Sequence, residues 1–149
     1  EDIGWRSFIN SVDCMIMGRK CMEVIAQMNL TPEQWPYGDI KIIVLSRTVA
    51  TPSASFHSET EMYSGDIDEL IEDLGSRGLK HAYIDGGATI TSFIELGLID
   101  EMTITQVPVL LGDGIPLFGK INRQIKLENP VVVAFPNDMV QVKYRVSSL

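Results

Sequence analysis

Glycines, basic residues and hydroxyl residues follow three apolar segments of the chain, each at the point where the segment ends. The segments CMIM, KIIVL and AYID run into Gly18-Arg19-Lys20, Ser46-Arg47-Thr48 and Gly86-Gly87-Ala88-Thr89. After the first and third of these, apolar side chains recur at helical spacing. A helix N-terminus offers free backbone N–H groups and a partial positive charge, and glycine leaves room for an anion to approach. The pattern therefore predicts the binding of phosphate groups.

The basic side chains at these ends strengthen the case for an anion site. Arg19 and Lys20 would open a helix, where a cation is unfavourable unless an anion accompanies it. Arg47, between two hydroxyl residues, suits a terminal phosphomonoester through charge-assisted hydrogen bonds. A ribose 2′-phosphate is such a group, so the pattern favours NADP over NAD. Each feature also has a structural interpretation: a tight Gly-Gly turn, a solvated first helical turn and an ordinary surface arginine.

Other kinds of site find little support in the sequence. The cysteines Cys14 and Cys21 and the distant histidines His57 and His81 lack the closely spaced ligand pairs of a zinc site, so no metal is expected. They also form no recognisable arrangement for nucleophilic catalysis. Asp85, just before the Gly-Gly turn, is open to a structural and to a catalytic interpretation.

The composition is that of a globular chain with an acidic surface. Its 149 residues are about the length of one domain, so we predict a single domain over residues 1–149. The net charge of -8 disfavours nucleic acid as a partner. No segment reaches the roughly 18 consecutive apolar residues of a membrane span, and no signal peptide opens the chain. We therefore expect a cytoplasmic protein whose partner is a small molecule, with neither nucleic acid nor membrane involved.

The spacing of apolar residues indicates strand–helix units followed by an all-β tail. Helices are predicted at 5–12, 21–28, 67–74 and 90–97, the third with the capping-box pair Asp66 and Glu69 at its start. Strands are predicted at 14–18, 41–46, 81–85 and 101–111, with a short one around 55–57. Residues 131–135 and 139–146 flank Pro136-Asn137-Asp138, which indicates an antiparallel hairpin.

Buried strands that alternate with helices predict parallel neighbours joined by right-handed crossovers. The expected fold is α/β, with helices on both faces of a mixed, mostly parallel sheet and the C-terminal antiparallel hairpin at one edge. In such a sheet the three strand ends with their phosphate-suited residues lie on one rim. The hairpin would leave an exposed strand edge, which favours a homodimer.

Taken together, the segments IMGRKCMEVI, IVLSRT and YIDGGATITSFIELGLIDEMTITQVPVLLGDGIPLF resemble the dihydrofolate reductase-like superfamily. They most resemble its branch with the riboflavin-biosynthesis reductase domain, over nearly all of residues 5–146. The resemblance implies a dihydrofolate reductase-like three-layer sandwich that binds NADP(H). By position, residues 18–21 match the segment that holds cofactor phosphate, and Leu45, Ser46 and Arg47 match the segment around the adenosine 2′-phosphate. Residues 86–89 match the turn beside the pyrophosphate and nicotinamide.

The chain departs from the family pattern in several places. Cys21 replaces a threonine, which removes one hydroxyl from the phosphate segment. Residues 5–12 contain no carboxylate to hold a pterin, although Asp2 and Asp13 flank them. The family's first strand would precede Glu1 and is lacking here, and the zinc deaminase motif of the fused riboflavin enzyme is absent from this sequence.

The resemblance and the residue pattern together predict an NADPH-dependent reductase of a small heterocycle. The substrate would be a pyrimidine like 5-amino-6-ribosylaminouracil phosphate, or a pteridine such as dihydrofolate. Thr105, on the long strand after the Gly-Gly helix, is a candidate for contact with nicotinamide or substrate. The alternative is a non-catalytic nucleotide-binding or dimerisation module that retains the fold, which the missing acid and Cys21 favour.

Overall fold

The computed structural model describes residues 3–148 and divides the chain after Thr89 into two compact units. Its helices are α1 (Trp5–Ser11), α2 (Arg19–Gln27), α3 (Ile67–Ser76) and α4 (Gly87–Glu95). Its strands are β1 (Cys14–Gly18), β2 (Lys41–Leu45), β3 (Thr60–Tyr63), β4 (Ala82–Asp85), β5 (Glu101–Gln106), β6 (Ile125–Ala134) and β7 (Val140–Ser148). The longest helix has ten residues, and none within residues 3–148 is long and apolar enough to cross a membrane. The single domain expected over residues 1–149 stays a prediction.

The first unit contains a four-stranded parallel sheet in the order β3-β2-β1-β4. The three buried strands predicted from the sequence are therefore parallel neighbours, as expected. In this order the connection from β1 to β2 runs toward β3, and the connection from β3 to β4 runs the opposite way across the sheet. Right-handed crossovers then place α2 and α3 on opposite faces of this sheet.

The core of the first unit follows from the alternation of side chains along β1 and β2. Their registered residues Met15, Met17, Ile42 and Val44 are fully buried and form one cluster with two residues of α2, Met22 and Ile25. The alternate residues Ile16 and Ile43 are also fully buried and point to the other face, the one that α3 covers with its buried leucines at positions 70 and 74.

Three sequence predictions differ from the structure: the apolar face of α2, the position of the short strand and the length of the strand predicted at residues 101–111. The helical spacing of Cys21, Val24, Ile25 and Met28 predicts an apolar face for α2. Val24 and Met28 are nevertheless more than half exposed, because the helix is rotated to bury Met22 instead. The short strand lies at residues 60–63 and not around 55–57, where Phe56 packs against the Trp35 ring at 5.0 Å.

The long strand predicted at residues 101–111 ends at Gln106. Pro108 lies two residues beyond this end and has no N–H to donate to a ladder. The strand is therefore about half as long as its alternating pattern suggested.

The second unit contains a three-stranded antiparallel sheet in the order β5-β7-β6. The predicted hairpin is present, and its turn is closed by a hydrogen bond from the Phe135 N–H to the Met139 carbonyl. A bulge interrupts β6 between Glu128 and Val131, where Asn129 adopts a φ of 52°. The α/β class is confirmed. Within residues 3–148, however, the strands form two sheets and not the one mixed sheet that was expected. β4 pairs only with β1 and β5 pairs only with β7, so no ladder joins the two sheets.

A network of charged side chains joins β2, β3 and α3 on the surface of the first unit. Glu61 Oε2 accepts from Lys41 Nζ at 3.1 Å and from the Arg77 guanidinium at 3.1 Å, and Arg77 also pairs with Asp73 at 2.8 Å. The hydrogen bonds from Arg77 and Lys41 lower the pKa of Glu61 below its ordinary value. A carboxylate whose pKa is lower in the folded than in the unfolded state stabilises the fold when the pH is above the unfolded-state pKa. This stabilisation is lost as the pH falls through the folded-state pKa.

We expect Glu61→Gln to lower the free energy of unfolding by about 0.5 kcal/mol at neutral pH, because the network is partly exposed to solvent. The difference from wild type should begin to shrink as the pH falls below the ordinary glutamate pKa of about 4.3 and should be lost below the lowered folded-state pKa. Urea unfolding of both proteins at a series of pH values measures this. Glu72→Gln, at an exposed position of α3, is the control, and a wild-type advantage that persisted undiminished in acid would contradict the assignment.

Candidate functional site

The carboxyl ends of all four parallel strands lie on one rim of the first sheet, called here the carboxyl rim. The register pairs Gly18 with Leu45, Leu45 with Tyr63, and Met17 with Asp85. Three helices begin shortly after these ends. In open α/β sheets this is where ligands bind.

The N-termini of these three helices differ in charge. α3 begins with the N-cap Asp66 and carries Asp68 and Glu69 in its first turn, which compensate its own dipole. The first turns of α2 and α4 contain no acidic residue. The N-cap of α2 is Gly18, which provides no side-chain hydrogen bond. The partial positive charges at the starts of α2 and α4 are therefore not compensated by their own acids, which suits an anionic ligand.

The turns before α2 and α4 pack against each other through their glycines. A methyl group at Gly86 would lie 2.6 Å from the sulfur of Cys21, and a methyl group at Gly18 would lie 3.0 Å from the hydroxyl oxygen of Thr89. Cys21 and Thr89 are each the third residue of their helix. The side chain from each helix thus covers the glycine of the other turn.

This packing gives Gly18 and Gly86 a structural role, and the expected approach of a phosphate to residues 86–89 stays a prediction. Gly86 also has a φ of +95°, which side-chain-bearing residues rarely adopt. The space left by its missing side chain is filled by Cys21, so glycine is required there by the protein's own packing. An anion would meet the backbone N–H groups of the first helical turns, beside this contact and not in place of it.

The basic residues of the carboxyl rim are engaged to different degrees. Arg19 pairs with Glu23, one turn further along α2, at 2.7 Å. The side chains of Lys20 and Arg47 are exposed and make no hydrogen bond or ion pair within residues 3–148. Two cations are therefore available to a ligand without breaking an existing pair.

The turn that carries Arg47 is held by the serine before it. The Ser46 hydroxyl accepts hydrogen bonds from the N–H groups of Thr48 at 3.3 Å and Val49 at 2.9 Å. Leu45 ends β2 and is half-buried. The segment 45–48 thus has a fixed backbone with the arginine directed outward.

A polar cluster that the sequence did not predict lies next to the Gly-Gly turn. The Tyr83 hydroxyl donates a hydrogen bond to Asp85 Oδ1 at 3.1 Å. Burial is the main cause that raises the pKa of Tyr37, Tyr83 and the Cys21 thiol, and the charge of Asp85 is the second; the pKa of Tyr37 rises to about 12. A backbone hydrogen bond from Gly18 lowers the pKa of Cys21 and so opposes these effects. All three groups are neutral at pH 7 and lie close enough to Asp85 for its charge to act on them.

The sequence contained a signal for only part of this cluster. Tyr83 and Asp85 are two residues apart on one strand, so their side chains must share a face of the sheet. Tyr37 lies in a loop between Pro36 and Gly38, where no periodicity applies. Its ring stands against the rings of Trp5, at 6.0 Å, and Trp35, at 5.1 Å.

Three other residues were raised by the sequence as possible contacts of nicotinamide, substrate or a pterin, and two of them lie within the described residues. Thr105 is on β5 of the second unit, where its hydroxyl accepts a hydrogen bond from Gln141 at 2.9 Å, and its contact with nicotinamide or substrate stays a prediction. The Asp13 carboxylate accepts from the N–H groups of Lys80 and His81, both at 3.0 Å, and so has a structural role. Asp2 lies outside the described residues.

Residues 10–141 match the model of the RibD C-terminal domain. The chain belongs to this family. It is 32% identical to the uncharacterised protein YyaP of Bacillus subtilis (strain 168) over 152 aligned residues, which cover 96% of this chain and 79% of YyaP. The suspected riboflavin reductase branch is thereby confirmed.

Solved structures agree with this family assignment. A Shewanella sp. PV-4 protein described as a riboflavin biosynthesis protein aligns with a TM-score of 0.88 at 31% identity, covering 99% of this chain and 81% of that one. Dihydrofolate reductase from Enterococcus faecalis, solved with NADP(H), aligns with a TM-score of 0.59 at 14% identity, covering 96% and 80%. The second alignment shows a common fold, which confirms the dihydrofolate reductase-like fold class.

We expect Gly86→Ala to lower the free energy of unfolding by at least about 2 kcal/mol, because the new methyl group meets Cys21 on a backbone of positive φ. Combining it with Cys21→Ala should restore the part of this loss that comes from the clash. Denaturant unfolding of the two single variants and the double variant gives the coupling energy.

Gly78→Ala is the matched control for backbone strain alone, since Gly78 has a φ of +80° and no heavy atom within 4 Å of the added methyl group. It should show no coupling to Cys21→Ala. Equal coupling at both glycines, or none at Gly86, would contradict the packing described between the two turns.

Proposed function

We propose that this protein is an NADPH-dependent reductase of a small pyrimidine like 5-amino-6-ribosylaminouracil phosphate. The observation that carries the proposal is the pair of acid-free helix N-termini, α2 and α4, held side by side on the carboxyl rim by the Gly18 and Gly86 contacts. Membership of the RibD C-terminal domain family and the reductase-type fold support it. A cytoplasmic location remains part of the proposal.

The residues of the carboxyl rim fit the charge pattern of NADPH. The N–H groups at the starts of α2 and α4 would bind the pyrophosphate, with Lys20 as an available cation beside them. Arg47, presented by the Ser46 turn, would bind the 2′-phosphate through charge-assisted hydrogen bonds. Bound NADPH supplies the hydride, and the protein contributes binding and orientation.

Asp85 is our candidate for contact with the substrate ring. Its carboxylate lies at the end of β4, directly before the Gly-Gly turn, and the Tyr83 hydroxyl fixes one of its oxygens. A carboxylate accepts hydrogen bonds from ring N–H groups, and the neutral Tyr37 hydroxyl would donate to a ring carbonyl; ring N–H groups and carbonyls are the polar groups of a pyrimidine. A pteridine substrate is less well supported, because α1 contains no carboxylate and Asp13 is engaged with Lys80 and His81.

The alternative function is a nucleotide-binding module without catalysis. It is favoured by Cys21, whose raised pKa keeps it a neutral thiol at the position where the family has a threonine hydroxyl. Both functions require the nucleotide to bind at the carboxyl rim. They differ in whether NADPH is oxidised when a pyrimidine substrate is present.

Arg47→Ala should weaken NADPH binding by about tenfold or more and leave NADH binding within about twofold of wild type, since only NADPH carries the 2′-phosphate. Fluorescence titration of each protein with each nucleotide measures the two dissociation constants. Arg145→Ala, which removes an exposed arginine from β7, is the matched control for loss of charge. Equal losses for both nucleotides would reject the 2′-phosphate assignment, and no wild-type binding at millimolar NADPH would reject the cofactor.

Asp85→Asn should reduce the rate of NADPH oxidation with the aminouracil substrate by at least about a hundredfold, because an uncharged amide replaces the carboxylate at the substrate ring. The dissociation constant for NADPH should stay within about threefold of wild type. Tyr83→Phe should have a smaller effect, since it removes only the hydrogen bond that orients Asp85. Wild-type protein that binds NADPH but oxidises none with this substrate would favour the non-catalytic module.

A further inference from the structure

Tyr37 differs from the other tyrosines of the first unit in the use of its hydroxyl group. Tyr63 donates to the Asp66 carbonyl at 2.7 Å, and Tyr83 donates to Asp85 at 3.1 Å. The Tyr37 hydroxyl makes no hydrogen bond within residues 3–148, and solvent reaches it. A phenylalanine would supply the same ring packing without a polar atom. The hydroxyl is therefore a donor that a ligand can use.

The backbone on both sides of Tyr37 is held by hydrogen bonds from distant segments. The Trp5 indole N–H donates to the Pro36 carbonyl at 3.0 Å. The Ser58 hydroxyl donates to the Gly38 carbonyl at 2.8 Å. These donors lie 31 and 20 residues from their acceptors along the chain. The loop that carries Tyr37 is thus fixed at the residue before it and at the residue after it.

Trp35 adds a second contact with Ser58. Its indole N–H donates to the Ser58 hydroxyl at 2.7 Å, and its ring lies edge-on to the Tyr37 ring, with 5.1 Å between the ring centroids. Because the serine hydroxyl accepts one hydrogen bond and donates the other, its orientation is determined. The residues Trp5, Trp35 and Ser58 are called here the Tyr37 clamp.

The Tyr37 clamp places Tyr37 beside the pair formed by Tyr83 and Asp85. The Trp5 ring contacts both tyrosines edge-on, Tyr37 at 6.0 Å and Tyr83 at 5.6 Å between ring centroids. Both tyrosines pack against the buried cluster of β1, β2 and α2, on the face of the sheet that Asp85 shares with Tyr83. A hydroxyl donor and a carboxylate acceptor therefore lie on one face, near the carboxyl rim.

We propose that the Tyr37 clamp holds the Tyr37 hydroxyl where it donates to a carbonyl oxygen of the substrate ring. The three clamp residues are positioning residues in this inference, which rests on the proposed reductase function. A donor at Tyr37 and an acceptor at Asp85 match a ligand edge with an N–H group next to a carbonyl, as in a uracil ring. A donor that is fixed before the ligand arrives loses little entropy on binding, so the clamp should act on substrate affinity. It should not act on NADPH, whose proposed contacts lie elsewhere on the carboxyl rim.

A double-mutant cycle between Tyr37→Phe and Ser58→Ala tests this inference. Each single variant should raise the KM for the aminouracil substrate about tenfold, with kcat within about threefold of wild type, because one hydrogen bond to the substrate ring is removed or misaligned. The double variant should be no worse than Tyr37→Phe, since Ser58 acts through the hydroxyl that is already missing. Steady-state kinetics of NADPH oxidation measures both constants, and the dissociation constant for NADPH should stay within about twofold of wild type.

Stability separates positioning from a purely structural role of Ser58. Phenylalanine keeps the ring and the backbone at position 37, so Ser58→Ala should lower the free energy of unfolding equally with tyrosine or phenylalanine there. Ser55→Ala is the matched control, because it removes a half-buried hydroxyl of the same loop that hydrogen-bonds to Ser53 at 2.9 Å and not to the Tyr37 clamp. It should leave the KM unchanged.

Trp5→Phe provides a second variant of the Tyr37 clamp. It keeps a ring between the two tyrosines and removes the N–H to the Pro36 carbonyl, so it should raise the KM like Ser58→Ala and be equally silent in the Tyr37→Phe background. Effects on the KM that multiply in the double variants, or a wild-type KM in both clamp variants, would overturn the inference alone. Wild-type protein that oxidises no NADPH with the aminouracil would reject the proposed function, and this inference with it.

Discussion

The reciprocal contact between the turns before α2 and α4 is the constraint on which the candidate site depends. Gly86 can approach α2 only because it has no side chain, and Cys21 then fills the space that results. Thr89 does the same for Gly18. Since both contacts use the third residue of a helix, they fix the first turns of both helices together with the strand ends. The positions of the backbone N–H groups thus follow from core-like packing and do not require a ligand.

Electrostatics on the carboxyl rim differ from those of the molecule as a whole. The chain has 20 acidic residues against 12 basic ones, yet α2 and α4 begin without an acid while α3, on the same rim, has two in its first turn. An overall negative charge repels a polyphosphate at long range, where salt screens it within about 10 Å. At contact distance, the acid-free first turns of α2 and α4 with Lys20 and Arg47 are screened less than this long-range repulsion. Selective placement of a few charges can therefore outweigh a larger net charge.

The sequence was most informative where a local pattern determines a contact. Parallel strands must end on one rim, so the sequence alone places Gly18, Ser46 and Gly86 near one another. Side-chain alternation could likewise have paired Tyr83 with Asp85. The contact between Cys21 and Gly86 could not be predicted, because it depends on the distance between two helices that are far apart in the chain. Helical spacing was ambiguous in α2, where a shift of one position exchanges Met22 for Val24 and Met28.

Cys21, at a position where the resemblance implies a threonine, has a different consequence in three dimensions than in the sequence. In the sequence it leaves the segment expected to hold phosphate without that hydroxyl. In the structure its side chain lies against the Gly86 backbone and beside Asp85, where burial and the nearby carboxylate raise the pKa of the thiol. A neutral, polarisable sulfur packs well in such a narrow space. The packing that positions the helix N-termini is therefore retained, and in the proposed function phosphate would meet backbone N–H groups, Lys20 and Arg47 without the side chain of residue 21.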